Sequence, residues 1–455
     1  MREQKTKADN GTLLIRGGRV IDPAQGLDDV LDVLVRDGLV AAIRKPQNAS
    51  STEARSVVDA SGLVVSPGFI DLHCHLREPG YEDKETIATG TLAAARGGFT
   101  AVCAMPNTLP PIDSRSVVEF VLQRAREEGH VRVFPIGSIT RGRKGRELTE
   151  MAELAKAGAV GFSDDGDPVA DPYMMRMALT YSRVTGLPLI EHCETPELSG
   201  GVIHEGWVAS RLGLKGIPSQ AEEAMVARDL ALAELTGGRL HLAHLSTRQA
   251  LELVRRAKER GLPVTFEVTP HHLTLTEEEV LGLRVRASPF ESLTPLAYDT
   301  NAKVNPPLRA REDVQALVAA LREGLVDAIA TDHAPHTLVD KVCPFDEAAF
   351  GISGLETALG LVLTIYHQGQ VPLSRIVEKL TVGPALVLGA KGQGLGTLKP
   401  GTVADLVIFD PEEAWTVDPQ KFASKGKNTP LAGVTLKGRV KYTVLEGKVI
   451  YDDGR

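Results

Sequence analysis

From Ser66 onward, eight short runs rich in apolar and β-branched residues recur along the chain, each followed by a segment rich in Ala, Leu, Glu and Arg. The runs are "GFIDLHCH" (68–75), "TAVCAMPN" (100–107), "VRVFPIGS" (131–138), "AVGFSDD" (159–165), "LPLIEHCE" (187–194), "LHLAHLST" (240–247), "PVTFEVTP" (263–270) and "VDAIATDHA" (326–334). Near-continuous apolar strands separated by helices pair in parallel, in a sheet covered on both faces. Eight such β/α repeats predict an α/β fold closed into a (β/α)8 barrel of the TIM type. An open doubly wound sheet is the alternative, but about six strands is its usual number and the Gly-rich dinucleotide turn after the first strand is missing.

The two ends of the chain read differently. Residues 11–65, with "TLLIRGGRVID" and "LVAAIRK", suggest short antiparallel strands with Gly turns, and so do "ADLVIFDP" and "VKYTVLEGKVIYDDGR" near the C-terminus. Neither end is large enough for a good core alone, so residues 11–65 and 390–455 are expected to pair into one small β-sandwich domain. The barrel then occupies residues 66–389, and residues 1–10 read as a flexible polar tail. The run "GAKGQGLGTLKPG" (389–401) lacks the strand-then-helix context of a phosphate loop and reads as turn chemistry.

Charge narrows the partners. A net charge of −8 with a pI near 5.9 argues against nucleic acid or an anionic membrane, both of which need a basic face. No apolar run approaches the length that spans a bilayer, and the start lacks an apolar signal core. Four cysteines at scattered spacings are not a disulfide framework. The expectation is a reduced, cytoplasmic setting.

In such a barrel the active site lies at the C-terminal ends of the strands. The first run ends in His73 and His75, which by strand alternation face the same way while Cys74 points into the surrounding shell. The fourth ends in Asp164-Asp165-Gly166, the fifth in His192, the sixth in His244 (with His241 deeper or on another face), and the eighth in Asp332-His333. A lone histidine is commonly a hydrogen-bonded core residue. Four histidines and two aspartates at the ends of several strands point instead to a metal such as zinc. Six ligands exceed the three of a single catalytic zinc and suggest two ions sharing a carboxylate. Spacing leaves open which of Asp164 and Asp165 is shared. A metal pair that makes a nucleophile from water and polarises a carbonyl suits amide hydrolysis.

The stretch "PGFIDLHCHLREPGYEDKETIATGTLAAARGGFTAVCAMPNT" resembles the amidohydrolase superfamily, and within it the dihydroorotases of the bacterial type. The likeness continues through "GFSDDG", "IEHCE", "HLAHLST", "EVTPHHL", "KVNPPLR", "IATDHAPH", "FGISGLET", "GTLKPGTVADLVIFD" and "SKGKNTPLAG", and so covers nearly the whole chain after the first ten residues. It implies a zinc-dependent hydrolase that interconverts L-dihydroorotate and N-carbamoyl-L-aspartate in pyrimidine synthesis. It also implies two Zn2+ ions: His73, His75 and Asp332 hold the first, Asp165 bridges, and His192 and His244 hold the second. Many relatives use a carboxylated lysine as the bridge, but here Lys156 lies upstream of the strand end, so an aspartate bridge and a weaker second metal are expected. The resemblance also implies that Asp332 carries the catalytic proton. Arg77, Asn107 and His336 resemble the contacts to the ring carboxylate, Asn305 another substrate contact, and Phe350 and Gly351 the segment whose backbone meets the ring.

Blander readings stand beside these: Asn107 as a turn residue, His336 as a helix cap, His271 and His272 as structural groups, and Cys193 as a small buried apolar residue. The basic loop "TRGRKGRE" (140–147) reads as a solvated face. The loop 336–351 reads as one that can close over substrate. Rival functions are an allantoinase or hydantoinase-type amidase and a catalytically silent structural partner of aspartate carbamoyltransferase. The resemblance further suggests a homo-oligomer, as a dimer, and a complex with that transferase.

Overall fold

The computed structural model describes residues 11–46, 54–282 and 297–454. The tail expected at residues 1–10 lies outside them. In chain order the strands are β1 (Leu13–Asp22), β2 (Leu27–Arg36), β3 (Leu39–Arg44), β4 (Ser56–Asp59), β5 (Val64–Pro67), β6 (Phe69–Cys74), β7 (Phe99–Ala104), β8 (Arg132–Pro135) and β9 (Leu189–Glu191). There follow β10 (Ile203–His204), β11 (Gly216–Ile217), β12 (Leu240–Leu242), β13 (Val264–Val268), β14 (Ala328–Ile329), β15 (Leu406–Thr416), β16 (Thr435–Leu445) and β17 (Lys448–Asp452).

The parallel set β6-β7-β8 forms one arc and β9-β12-β13-β14 the other. Single bridges at two residues, Phe162 and His333, join them into a ring. Phe162 bridges Gly137 on one side and Leu189 on the other, and His333 bridges Cys74 while its carbonyl accepts the His75 N–H at 2.9 Å. The fourth run thus forms no regular strand, but its backbone takes the fourth place: Val160 and Ser163 donate to Pro135 and Gly137, and Phe162 donates to Pro188. It ends at Gly166, where φ is +88° and the chain turns away.

Inside the ring, Ile70, Leu72, Ala101, Cys103, Ile136, Val160, Ile190, Ala243, Ala328 and Ala330 make one buried cluster, closed by Val387 and Leu388. Cys74 belongs instead to the outer cluster between strands and helices, as alternation predicts for a neighbour of two mouth histidines. A register irregularity between Asp71 and Cys74 accounts for the change of face along β6.

The two chain ends make a single sheet in the order β17-β16-β15-β5-β1-β2-β3, with β4 also beside β1. The antiparallel β5–β15 pair joins N- and C-terminal strands, and an antiparallel bridge from Leu39 to Val403 ties the far edge back toward β15. Its own core includes Ile15, Val33, Val35, Val65, Leu406, Ile408 and Val444. The 389–401 run is turns and one short 3-10 helix, anchored by Thr397 and Leu398 on the Asp22 carboxylate. Among the described residues no helix is long and apolar enough to cross a membrane.

One buried carboxyl stands apart from the site. Glu277 opens the 3-10 helix Glu277–Leu281, and its Oε2 is buried with no partner. Burial, followed by Glu278, Glu312 and Asp313, pushes it up to about 7 from 4.5. A carboxyl raised in the fold stabilises fully below its unfolded value and loses that contribution as pH climbs through the folded one. Glu277→Gln is therefore expected to raise the melting temperature at pH 8 and to leave it nearly unchanged at pH 4.5. Melting curves at the two pH values check this, and an equal shift at both contradicts it.

Candidate active site

At the carboxyl ends of the barrel strands, imidazoles and carboxylates converge on one buried spot. His73 Nε2 lies 3.3 Å from Asp165 Oδ1, and His244 Nε2 and His192 Nδ1 lie 3.5 and 3.6 Å from the same oxygen. His192 Nδ1 and His244 Nε2 are only 3.0 Å apart, both aimed at that oxygen. On the other side His75 Nε2 approaches Asp332 Oδ1 at 3.1 Å and Asp165 Oδ2 at 3.6 Å. His73 belongs to two sets of buried donors with atoms within 4.8 Å of one another: His73, Asp165 and His244, and His73, His75 and Asp332. His73 Nε2 and Asp165 Oδ1 are buried with no hydrogen-bond partner. Orphaned ligand-type atoms at one point fit a cation.

Asp164 turns the other way. Thr140 donates to it through its backbone N–H, at 3.0 Å, and through its hydroxyl, and burial pushes Asp164 up to about 6. Of the two aspartates, Asp165 is the one that faces the histidines. Burial opposes the charge of Asp165 and Asp332, yet the surrounding histidines hold both carboxyls well below the usual carboxylate range. Lys156 sits on the helix Met151–Ala157, paired with Glu153 at 2.9 Å and away from the cluster.

The outer partners fix how each ring is turned. Glu267 Oε1 takes the His73 Nδ1–H at 2.9 Å, leaving Nε2 to face the cluster, and Glu267 Oε2 pairs with His241 Nε2 at 3.1 Å. Asn107 Oδ1 takes the His75 Nδ1–H at 2.8 Å. Glu194 Oε2 lies 3.4 Å from His192 Nε2 and accepts the Asn305 amide at 3.0 Å. Such carboxylate–histidine pairs hold a ligand ring in one tautomer and one orientation. Glu267→Gln is expected to weaken metal binding about 10- to 100-fold with the fold intact. Titrating the stripped protein with zinc against a competing chelator measures this, and unchanged affinity contradicts the role.

The basic loop is not all solvated. Arg143 is 17% exposed at its side chain and donates to the carbonyls of Asp164 at 3.2 Å and Asp165 at 2.8 Å, clamping the turn that presents Asp165. Arg143, Arg77, His244 and Asp332 all hold positive φ values, between 33° and 61°. Non-glycine residues in that region store strain, and these four of the seven among the described residues lie at the mouth.

The expected substrate contacts form a wall beside the cluster. Arg77 Nε donates to the Pro335 carbonyl at 3.3 Å, and its Nη2 lies 3.4 Å from His336 Nε2. Burial lowers Arg77 to about 10 and His336 to about 3, so the first is a cation and the second a neutral ring near neutral pH. Asn107 does more than close a turn, and Thr337, not His336, caps the short helix Leu338–Lys341. His336 Nε2 is 2.8 Å from the Phe350 carbonyl. Both backbone groups of Gly351 are taken, its N–H by the Lys303 carbonyl and its own carbonyl by Asn428. Asn305 Oδ1 is buried without a partner and is free for a donor. The loop 336–351 is held by Lys341, whose Nζ donates to the carbonyls of Thr300, Lys303 and Ala349.

His272 is structural, between Thr269 Oγ1 and the Pro306 carbonyl, whereas His271 Nε2 is buried with no partner. Cys193 is buried.

The model of the family described as dihydro-orotase-like matches residues 62–250. A dihydroorotase of Anaeromyxobacter dehalogenans strain 2CP-1 is 52% identical over 448 residues, covering 97% of this chain and 98% of that protein. The chain belongs to the dihydroorotase family. A dihydroorotase of Geobacter metallireducens is 50% identical over 96% of this chain and 99% of its own length. One from Caldanaerobacter subterraneus is 49% identical over 97% and 98%. Among solved structures, the L-hydantoinase of Arthrobacter aurescens superposes with a TM-score of 0.84 at 26% identity, covering 97% of this chain and 96% of that one. A dihydropyrimidinase from Brevibacillus agri gives 0.82 at 22%, covering 98% and 96%, and shows the shared fold. Membership in the dihydroorotase family implies a metal, and the two donor sets are its candidate places.

Proposed function

We propose that this chain is a zinc-dependent dihydroorotase that interconverts L-dihydroorotate plus water and N-carbamoyl-L-aspartate. The observation that carries the reading is Asp165 Oδ1, a buried and orphaned carboxylate oxygen 3.3 to 3.6 Å from three histidine nitrogens. His73, His75 and Asp332 would hold one zinc ion, His192 and His244 a second, with Asp165 shared between them. Bound there, the ions supply a water-derived nucleophile near neutral pH and polarise the scissile carbonyl. Without a lysine bridge, His192, His244 and Asp165 would hold the second ion more weakly.

The chain's own groups do the rest. Asp332 Oδ1, at the mouth and ionised, accepts the proton of the attacking water and returns it to the leaving ring nitrogen. Arg77, with Asn107 and His336 beside it, takes the ring carboxylate in a guanidinium fork and sets the carbonyl in register. The free Asn305 Oδ1 accepts a ring N–H. Phe350 and Gly351 shape the facing wall.

The setting is cytoplasmic and the partner is a small acidic molecule. The exposed Leu338, Val339 and Val342, next to His336, offer an apolar face for self-association as a dimer or for aspartate carbamoyltransferase. Adding zinc to the metal-stripped chain tests the reading. Dihydroorotate hydrolysis is expected to rise and level off at two equivalents, and turnover indifferent to metal overturns the proposal.

A further inference from the structure

Between β15 and β16 the chain leaves the terminal sheet, and residues 423–428 lie against the barrel mouth. The N–H groups of Ala423 and Ser424 donate to the Glu356 carboxylate at 3.0 and 3.2 Å. Ser424 Oγ donates to Glu85 Oε2 at 2.5 Å, and Glu85 also faces His333 Nε2 at 3.4 Å. A Cβ at Gly426 would stand 2.4 Å from Pro335 Cβ and 2.7 Å from Pro335 Cα, so glycine permits the close approach.

The segment ends in Asn428, buried at 4% exposure. Its Nδ2 donates to the carbonyls of Ala334 and Gly351, each at 3.0 Å. Its Oδ1 accepts from the His336 N–H and from Ser353 Oγ, each at 2.9 Å. An amide offers two donors and two acceptor sites, and all four are engaged. They reach two stretches of chain, 334–336 and 351–353, which also pair through the Ala334 N–H on the Ile352 carbonyl. Those stretches carry His336, Gly351 and the Pro335 carbonyl on which Arg77 leans.

We propose that Asn428, a residue of the terminal-sheet connection, is a positioning residue for substrate binding: it fixes His336, and through Pro335 the Arg77 fork, in the geometry that receives a ring carboxylate. The proposal rests on the dihydroorotase reading. The hydrogen bonds of the Asn428 side chain reach none of the metal cluster, so its loss is expected to act on binding and not on the metal.

Asn428→Asp keeps the two acceptor contacts but sets an oxygen against the Ala334 and Gly351 carbonyls, and Ser353→Ala releases one of the bonds that orient the amide. Assayed as full-length, zinc-loaded protein, Asn428→Asp should raise KM for dihydroorotate about tenfold, with kcat and zinc content close to wild type. Ser353→Ala should raise KM about threefold and serves alone if the first variant does not fold. A lower melting temperature with unchanged KM in the soluble variants marks a merely structural amide and overturns the proposal. A wild type that ignores dihydroorotate removes the reading beneath it, and the positioning role with it.

Discussion

Asp332→Asn lowers kcat for dihydroorotate to about one thousandth of wild type while the melting temperature stays close to the parent's. The size follows from what the residue is asked to do. A positioned carboxylate that takes and returns one proton is worth about 10²- to 10⁴-fold, and an amide cannot take that proton. The fold is expected to survive because asparagine has the same shape and tolerates the left-handed backbone, φ 46°, that Asp332 holds. Rate and melting curve must be read together. A slow variant that is also unfolded says nothing of chemistry, whereas a folded variant with near-parental kcat removes Asp332 from the proton path.

Arg77→Met raises KM for dihydroorotate about 100-fold and changes kcat far less. A guanidinium–carboxylate pair in a dry pocket is charge-assisted and two-pronged, worth about 2–3 kcal/mol, which is the stated factor. Arg77 stays cationic despite burial that lowers it to about 10. Methionine preserves the packing of the stem, so the loss isolates the charge. An unchanged KM contradicts the carboxylate assignment, and a collapse of kcat at constant KM moves Arg77 from binding to chemistry.

Much of this was legible in the chain itself. Eight apolar runs placed the barrel, and the histidines and aspartates at their ends marked the mouth, because strand periodicity needs only local sequence. The fourth run misled in one respect: it forms no regular strand, joining its neighbours through single bridges at Phe162 and a few backbone hydrogen bonds from residues 160–163. The choice between Asp164 and Asp165 depended on Thr140, which no spacing reveals. Glu267 was missed although it left a signal, a lone acid inside the apolar run "PVTFEVTP". A buried charge in a strand needs a partner, and its partner, His73, lies 194 residues away. Arg143 read as solvated because arginine usually is. Its carbonyl partners come from the turn after Phe162, a contact that only the folded chain makes. Asn428 gave no local signal, since its role is to join segments brought together by the fold.

Hydrolysis of L-dihydroorotate by the zinc-loaded chain, side by side with dihydrouracil, hydantoin and allantoin, tests the central claim most directly. The account predicts turnover of dihydroorotate alone, since only it carries the ring carboxylate that Arg77, Asn107 and His336 are placed to receive. Turnover of a neutral ring in its stead would keep the hydrolase and contradict the substrate, and silence on all four rings would contradict the enzyme.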